Sequence, residues 1–345
     1  MATIREVAAK AGVAPASVTR VLGGYPNVSD ALRERVLQAV REVGYQPDLV
    51  AAGLRRGYTK TVGMIVNDIL NPTVAELVDV VESELRIAGY GVILANSNGQ
   101  SANDLESLRL LHQRRVDGLI ASVADDRQDA LAEAMGELSI PIVLLDRQIE
   151  SEDFSAVLTD HRYGATQLVE HLVAKGHREI AIISGSTDAY PSRERVRGVV
   201  DAMRSLGLPI RPEFQISGRG SEEFAARSLA SMLDQPTPPT AVVLGNGNTA
   251  ALVGILRELR RRDVRIGSDI ALAAAEDGPL VALHTPPITA IQRDIADLGR
   301  RAARMLLGQL VKDSKRTHTV LLPTRLVVRE STDWELSSRV TAAHA

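Results

Sequence analysis

Apolar residues recur along the first 45 positions at the spacing of short helices. Ile4, Val7, Ala8 and Ala11 fall at i, i+3, i+4 and i+7, one face of a helix. Thr3 stands where an N-cap belongs, and Glu6, three residues on, completes a capping box. Gly12 supplies the left-handed stop that a side chain would resist. Pro15 opens a second helix at a position where its missing N–H costs nothing, and Val18, Val21 and Leu22 form that helix's buried stripe. Leu32, Val36, Val40 and Val43 then line a third helix running from Ser29 to about Val43. Two helices joined by a short glycine turn, closed by a third, predict a helix-turn-helix unit.

From Thr61 the pattern changes to short apolar runs alternating with amphipathic segments. "TVGMIV", "GVILANS", "DGLIASV", "PIVLLD" and "SAVLTD" read as strands, followed by "EIAIISG", "EFQISG", "TAVVLGN" and "DIALAAAED". Helical patterns lie between them, among them Val74–Ala88, Leu105–Arg115, Tyr163–Lys175, Arg193–Leu206 and Ala250–Arg261. Near-continuous apolar strands alternating with helices predict an α/β body with parallel sheets covered on both faces. The series falls into two similar halves about Asp160, and the chain passes between them again near "HTPPITAI" and "PTRLVV". The expected organisation is a head over 1–46, a hinge over 47–59 and a two-lobed body over 60–333. Lobe 1 is expected at about 60–159 and 287–318, lobe 2 at about 160–286 and 319–333, and a tail at 334–345.

Composition narrows the chemistry. The 345 residues include no cysteine, which removes disulfides, thiolate metal sites and thiol nucleophiles together. The seven histidines form no convincing set; His171 and His177 are poorly placed for one metal. "GNGNTA" lacks the spacing of a dinucleotide loop. We therefore expect no enzyme, no catalytic residues, no metal and no cofactor. No apolar run approaches the length of a membrane span and the start has no apolar leader core, so we expect a cytoplasmic protein without membrane contact.

Charge is unevenly placed. Up to Lys60, nine basic residues stand against five acidic ones, so that segment carries +4 in a chain whose total is −3. A basic head on an acidic body suggests two tasks. The second helix turns outward Pro15, Ala16, Ser17, Thr19 and Arg20: small residues that allow close approach to a groove, hydroxyls that reach phosphates, and a guanidinium that can pair with a guanine edge. A protein-docking helical hairpin has the same periodicity.

Further motifs carry a resemblance. "TIREVAAKAGVAPASVTRVL", "RERVLQAVREVGYQPD", "GLRRGYTKTVGMIV", "ILNPTVAELVDVVESELRIAGYGVILANS", "RRVDGLIA", "HLVAKGHREIAIISG" and "SRERVRGV" occur in this order. In these segments the chain resembles the lactose-repressor family of bacterial transcription regulators, over nearly its whole length. The resemblance implies a dimeric repressor on a pseudo-palindromic operator in double-stranded DNA, controlled by a small-molecule effector. It places Pro15, Ala16 and Arg20 at base-reading positions and Ser17 and Thr19 near phosphates. Thr3, Tyr25, Asn27 and Ser29 would add contacts, while Ala51 and Leu54 would belong to a hinge whose paired leucines wedge the minor groove. Ala14 departs from the family's capping Ser or Thr.

In an open α/β body, ligands bind beyond the strand C-termini. The strand-end polar residues are thus the effector candidates: Asp68, Asn71, Asn96, Ser122, Asp146, Arg147, Arg195, Asn246, Asn248 and Glu276, with Thr73 beside them. The resemblance makes Arg195 an effector-gripping arginine and aligns Glu276 with a ligand-binding aspartate; Asn246 and Asn248 remain alternatives for one role. Where the family stacks effectors on rings, this chain has Thr73 and Val74, Arg147 and Gly220. That substitution pattern favours a small polar, anionic effector of the sugar-acid or sugar-phosphate class, held by guanidinium forks.

Overall fold

A computed structural model describes residues 2–23, 25, 27–45, 58–312 and 317–333. Ala51, Leu54 and most of the segment 47–59 lie outside these residues, as does the tail 334–345. The chain divides into two compact units, Met1–Thr59 and Lys60–Ala345.

The first unit contains α1 (Ile4–Ala11), α2 (Pro15–Leu22) and α3 (Asp30–Val43). Thr3 Oγ1 accepts the Glu6 N–H and Glu6 Oε2 accepts the Thr3 N–H, so the capping box is closed in both directions. Gly12 ends α1 at φ 64°, and Ser29 caps α3 by accepting the Leu32 N–H. The core is Val7, Ala8, Ala11, Val18, Val21, Val36 and Ala39, with Leu32, Val40 and Val43 packed around it. Ala39 was not part of the expected stripe; it is small enough for α1 and α3 to approach closely there.

Ala14, at the N-cap of α2, makes no side-chain cap. Ala14→Ser is accordingly expected to stabilise α2 by about 1 kcal/mol. Slower amide exchange across the first turn of α2 in the full chain checks this.

The second unit is built on two six-stranded sheets. Its first half runs β1 (Thr61–Val66), α4 (Pro72–Ile87), β2 (Gly91–Asn96), α5 (Ser101–Gln113), β3 (Gly118–Ala121), α6 (Asp129–Gly136), β4 (Ile142–Leu145) and β5 (Ser155–Thr159). The second half runs α7 (His161–Ala174), β6 (Ile180–Ser184), α8 (Tyr190–Ser205), β7 (Gln215–Ser217), α9 (Glu222–Leu233), β8 (Ala241–Leu244), α10 (Thr249–Arg261), β9 (Ala271–Ala274), α11 (Pro279–Leu283) and β10 (Thr289–Gln292). Then follow α12 (Ile295–Lys312), β11 (Thr319–Leu322) and β12 (Arg325–Val327).

Strand order is β11-β5-β4-β3-β1-β2 in one sheet and β12-β10-β9-β8-β6-β7 in the other. All pairings are parallel except β10 with β12. Each sheet has an apolar cluster on either face, around Val81, Leu85 and Leu306 or Leu111, Leu131 and Met135 in lobe 1, and around Leu229, Ile255 and Phe214 or Leu168, Leu172 and Val199 in lobe 2. Burial on both faces explains why these strands read as unbroken apolar runs.

The lobe boundaries correct the sequence-based expectation. β10 belongs to lobe 2 and β11 to lobe 1, so the passages fall at residues 293–294 and 323–324, not near 287 and 319. Both strands are four residues long, and what assigns each is its register: Thr289 beside Ala273, Thr319 beside Ala156.

Candidate functional site

In the head, the outward face of α2 presents Pro15, Ala16 and Arg20 as exposed residues, with Ser17 and Thr19 half-buried. No described residue pairs with the Arg20 guanidinium. Thr19 Oγ1 donates to the Pro15 carbonyl at 3.1 Å, which leaves its lone pairs outward. The Tyr25 ring packs where a Cβ on Gly23 would stand, 2.8 Å away, and remains 56% exposed. Asn27 is exposed beside it; the Ser29 and Thr3 hydroxyls are engaged as helix caps.

In the body, the strand C-termini of both sheets open onto a cavity of about 450 Å³ between the lobes. Ten of the eleven effector candidates line it: Asp68, Asn71, Thr73, Ser122, Asp146, Arg147, Arg195, Asn246, Asn248 and Glu276. Asn96 does not. Its Oδ1 accepts the Ile69 N–H and its Nδ2 donates to Asn98 Oδ1, so it staples two loops, and Asn98 takes the place at the wall. Arg293, His161 and Ser192 line the cavity too, and were not anticipated. No aromatic ring of Phe, Tyr or Trp stands among the described lining residues.

The floor is a chain of ion pairs crossing the lobes. Arg293 Nη1 donates to Asp146 Oδ2 at 2.6 Å and its Nη2 to Glu276 Oε1 at 2.5 Å. Arg195 Nη2 reaches Glu276 Oε2 at 3.2 Å and its Nη1 donates to the Gly245 carbonyl. The extra methylene of Glu276 lets one carboxylate span both arginines. Gly247 makes room for it: a Cβ there would lie 1.9 Å from Glu276 Oε2. Burial opposes charge on Glu276, but Arg293 and Arg195 outweigh it and hold the carboxyl below its usual range. Burial likewise opposes charge on Asp146, and His161, Arg293 and the Thr159 N–H overcome it, keeping that carboxyl far below its ordinary value.

Asn248 and Asn246 divide the work between them. Asn248 caps α10 by accepting the Ala250 N–H at 2.7 Å, whereas Asn246 accepts the Asn248 N–H and lays its amide across Gly220. The Gly220 position is bare so that this amide can lie there. Arg147 is 4% exposed; its Nε donates to the Val123 carbonyl and its Nη1 to the Asp146 carbonyl, with Asp126, Asp146 and Asp104 offsetting the cost of burying it. Arg219 is exposed at the rim.

His161 Nε2 lies 3.3 Å from Asp146 Oδ2. Burial, with Arg195 and Arg293 adding to it against Asp146, pushes this imidazole down to about 4. It is neutral in the folded chain near pH 7. An unfolded chain takes up the proton near 6.5, so stability present above that pH is lost as pH falls from about 6.5 to about 4, by roughly 3 kcal/mol. Urea unfolding between pH 7.5 and 4.5 should show this slope, flattened in His161→Gln.

Among the described residues, no group of His, Asp or Glu is arranged to hold a metal ion, and no helix is long and apolar enough to cross a membrane.

Known proteins match the chain in both units. The profile of the bacterial regulatory proteins, lacI family, matches residues 3–48, and that of the periplasmic binding protein-like domain matches residues 169–332. The chain is 30% identical to the ribose operon repressor of Escherichia coli (strain K12) over 331 residues, 96% of this chain and 100% of that protein. It is 29% identical to catabolite control protein A of Priestia megaterium, over 96% and 99% of the two chains. Among solved structures, the lac repressor dimer bound to operator and the anti-inducer ONPF superimposes with a TM-score of 0.83 at 27% identity, covering 96% of this chain and 99% of that one.

Proposed function

Because the chain belongs to the lacI family of bacterial regulatory proteins, we propose that it is a cytoplasmic, homodimeric repressor that reads a pseudo-palindromic operator and is switched by a small molecule in its inter-lobe cleft. The observation that carries this reading is the presence, in one chain, of a guanidinium with no partner among the described residues on an exposed helix face and a polar cleft between two lobes. Two-fold symmetry of the protein calls for two half-sites related by the same symmetry. Effector binding acts by favouring one lobe arrangement over another. Arg20 pairs with a guanine, Pro15 and Ala16 give close approach, and Ser17, Thr19, Tyr25 and Asn27 meet the sugar–phosphate backbone.

The effector is small, polar and anionic. Asp146 and Glu276 are spent on Arg195 and Arg293, and Arg147 is bonded to the Val123 and Asp146 carbonyls, so the guanidinium left for an acidic group, among the described residues, is that of Arg219 at the rim. With no ring to stack against, a neutral pyranose lacks its flat apolar partner.

Selection of bound duplexes from a random pool, repeated with hexonates, hexuronates, hexose phosphates and neutral hexoses, tests both parts. A symmetric consensus whose recovery responds to one of the acids is expected. No symmetric preference under any condition would overturn the reading as a repressor; a response to a neutral hexose alone would overturn the effector class.

A further inference from the structure

α8 belongs to lobe 2 by sequence and by its packing on β6, yet its first turn is rooted in lobe 1. The Tyr190 side chain, 7% exposed, is a member of the lobe 1 cluster that contains Leu131, Met135 and Leu158, and its hydroxyl donates to the Thr159 carbonyl at 3.3 Å. Beside it stands Asp126, on the loop after β3, with a side chain fully withdrawn from solvent. Asp126 Oδ2 accepts the N–H of Gln148 in its own lobe and the N–H of Tyr190 in the other, each at 3.0 Å. Its Oδ1 accepts Arg193 Nη1 at 3.0 Å, and its own N–H donates to the Asp188 carbonyl.

We propose that Asp126, Tyr190 and Arg193 form a latch that closes the cleft in the chain without effector and holds α8, with Arg195 on it, in register with lobe 1. Three features make this more than a passing contact. A buried carboxylate is costly unless it is fully bonded, and here three donors satisfy it, two of them from across the cleft. An apolar ring from one lobe is buried in the core of the other. On the opposite rim Asn71 Nδ2 donates to the Gly247 carbonyl at 3.0 Å, so closure is tied at two separated points. The latch makes Asp126 a positioning residue: its hydrogen bonds go to Gln148, Asp188, Tyr190 and Arg193, none of which lines the cavity, its charge also supports the buried Arg147, and it acts through the helix that carries Arg195.

The chain's lack of cysteine allows a direct test. Glu133→Cys on α6 and Glu170→Cys on α7, both exposed and remote from the cleft, place one spin label on each lobe of the full chain. Labelled protein is diluted into unlabelled protein, and the interlabel distance is measured with no small molecule or DNA. A single narrow distance is expected. Asp126→Asn and Arg193→Gln should each broaden it toward longer values, and should speed exchange of the Tyr190 amide roughly tenfold, as loss of a local closing interaction does. Asp153→Asn, an exposed carboxylate of the same lobe, should leave both readings unchanged. Arg193→Gln removes the ion pair together with the bonds of Arg193 Nη1 to the Thr187 and Asp188 carbonyls, but leaves Asp126 its two backbone donors, so it keeps the test available should Asp126→Asn not fold. A parent-like narrow distance and parent-like exchange in Arg193→Gln would overturn the latch, as would a broad distance in the parent. Neither result bears on operator or effector recognition, since neither is present.

Discussion

Substituting alanine for Arg20 is expected to cut discrimination between operator and random duplex sharply while leaving the fold of the head intact. Arg20 is exposed, bonded to nothing among the described residues, and absent from the apolar core of the three helices. Its removal therefore costs no packing. A bidentate arginine–guanine pair is worth about 1–3 kcal/mol, and a symmetric dimer loses it twice, so specific affinity falls by about 2–6 kcal/mol, from tens to tens of thousands of fold. Binding to random DNA should change little, and the salt dependence of specific binding should keep its slope, because no phosphate contact is removed. Competition gel shifts at two salt concentrations check this. An equal loss on operator and random DNA would reassign Arg20 to the phosphate backbone.

The second large effect is expected at Arg293. Alanine there leaves the Asp146 and Glu276 carboxylates facing each other across a nearly dry floor without the guanidinium that bridges them. Breaking a buried pair from one side costs about 3–5 kcal/mol, because the surviving charges keep their desolvation penalty. Removing the opposing charge as well should return part of that loss. The double variant Arg293→Met with Glu276→Gln is expected to be more stable than the sum of the two single variants predicts, with non-additivity of roughly 1–3 kcal/mol. Urea unfolding of the four proteins closes the cycle, and strict additivity would show that the two side chains are independently solvated.

The elements of this fold were legible where local chemistry decides them. The capping box at Thr3 and Glu6, the glycine stop at Gly12 and the doubly covered strands of both sheets are each fixed by residues within a few positions of one another. Sheet membership of β10 and β11 was not, because two short runs of similar composition differ only in which distant strand they pair with. The cleft shows the same division. Strand-end position identified ten lining residues, since a strand's last polar residue in such a sheet has few other places to go. It failed at Asn96, whose amide serves its own loops, and passed over Arg293, which "AIQRDIAD" presents as an ordinary polar turn before a helix. What makes Arg293 central is the arrival of Asp146 and Glu276, 147 and 17 residues away, on either side of it. Glu276, one methylene longer than the aspartate with which the resemblance aligns it, uses that length to reach both Arg195 and Arg293.

The backbone joins the lobes at three places, at Asp160, at residues 293–294 and at residues 323–324, and two of these are stitched together by the Asp160 N–H to the Leu322 carbonyl and by Thr324 Oγ1 to the Asp160 carbonyl. One proteolytic cut at any passage therefore gives two fragments that share at least one lobe between them and stay together by its packing, and neither half can be expressed alone as a continuous gene segment. A split or circularly permuted version of this body has to respect all three joints, so insertions that report on effector binding belong in the loops far from them.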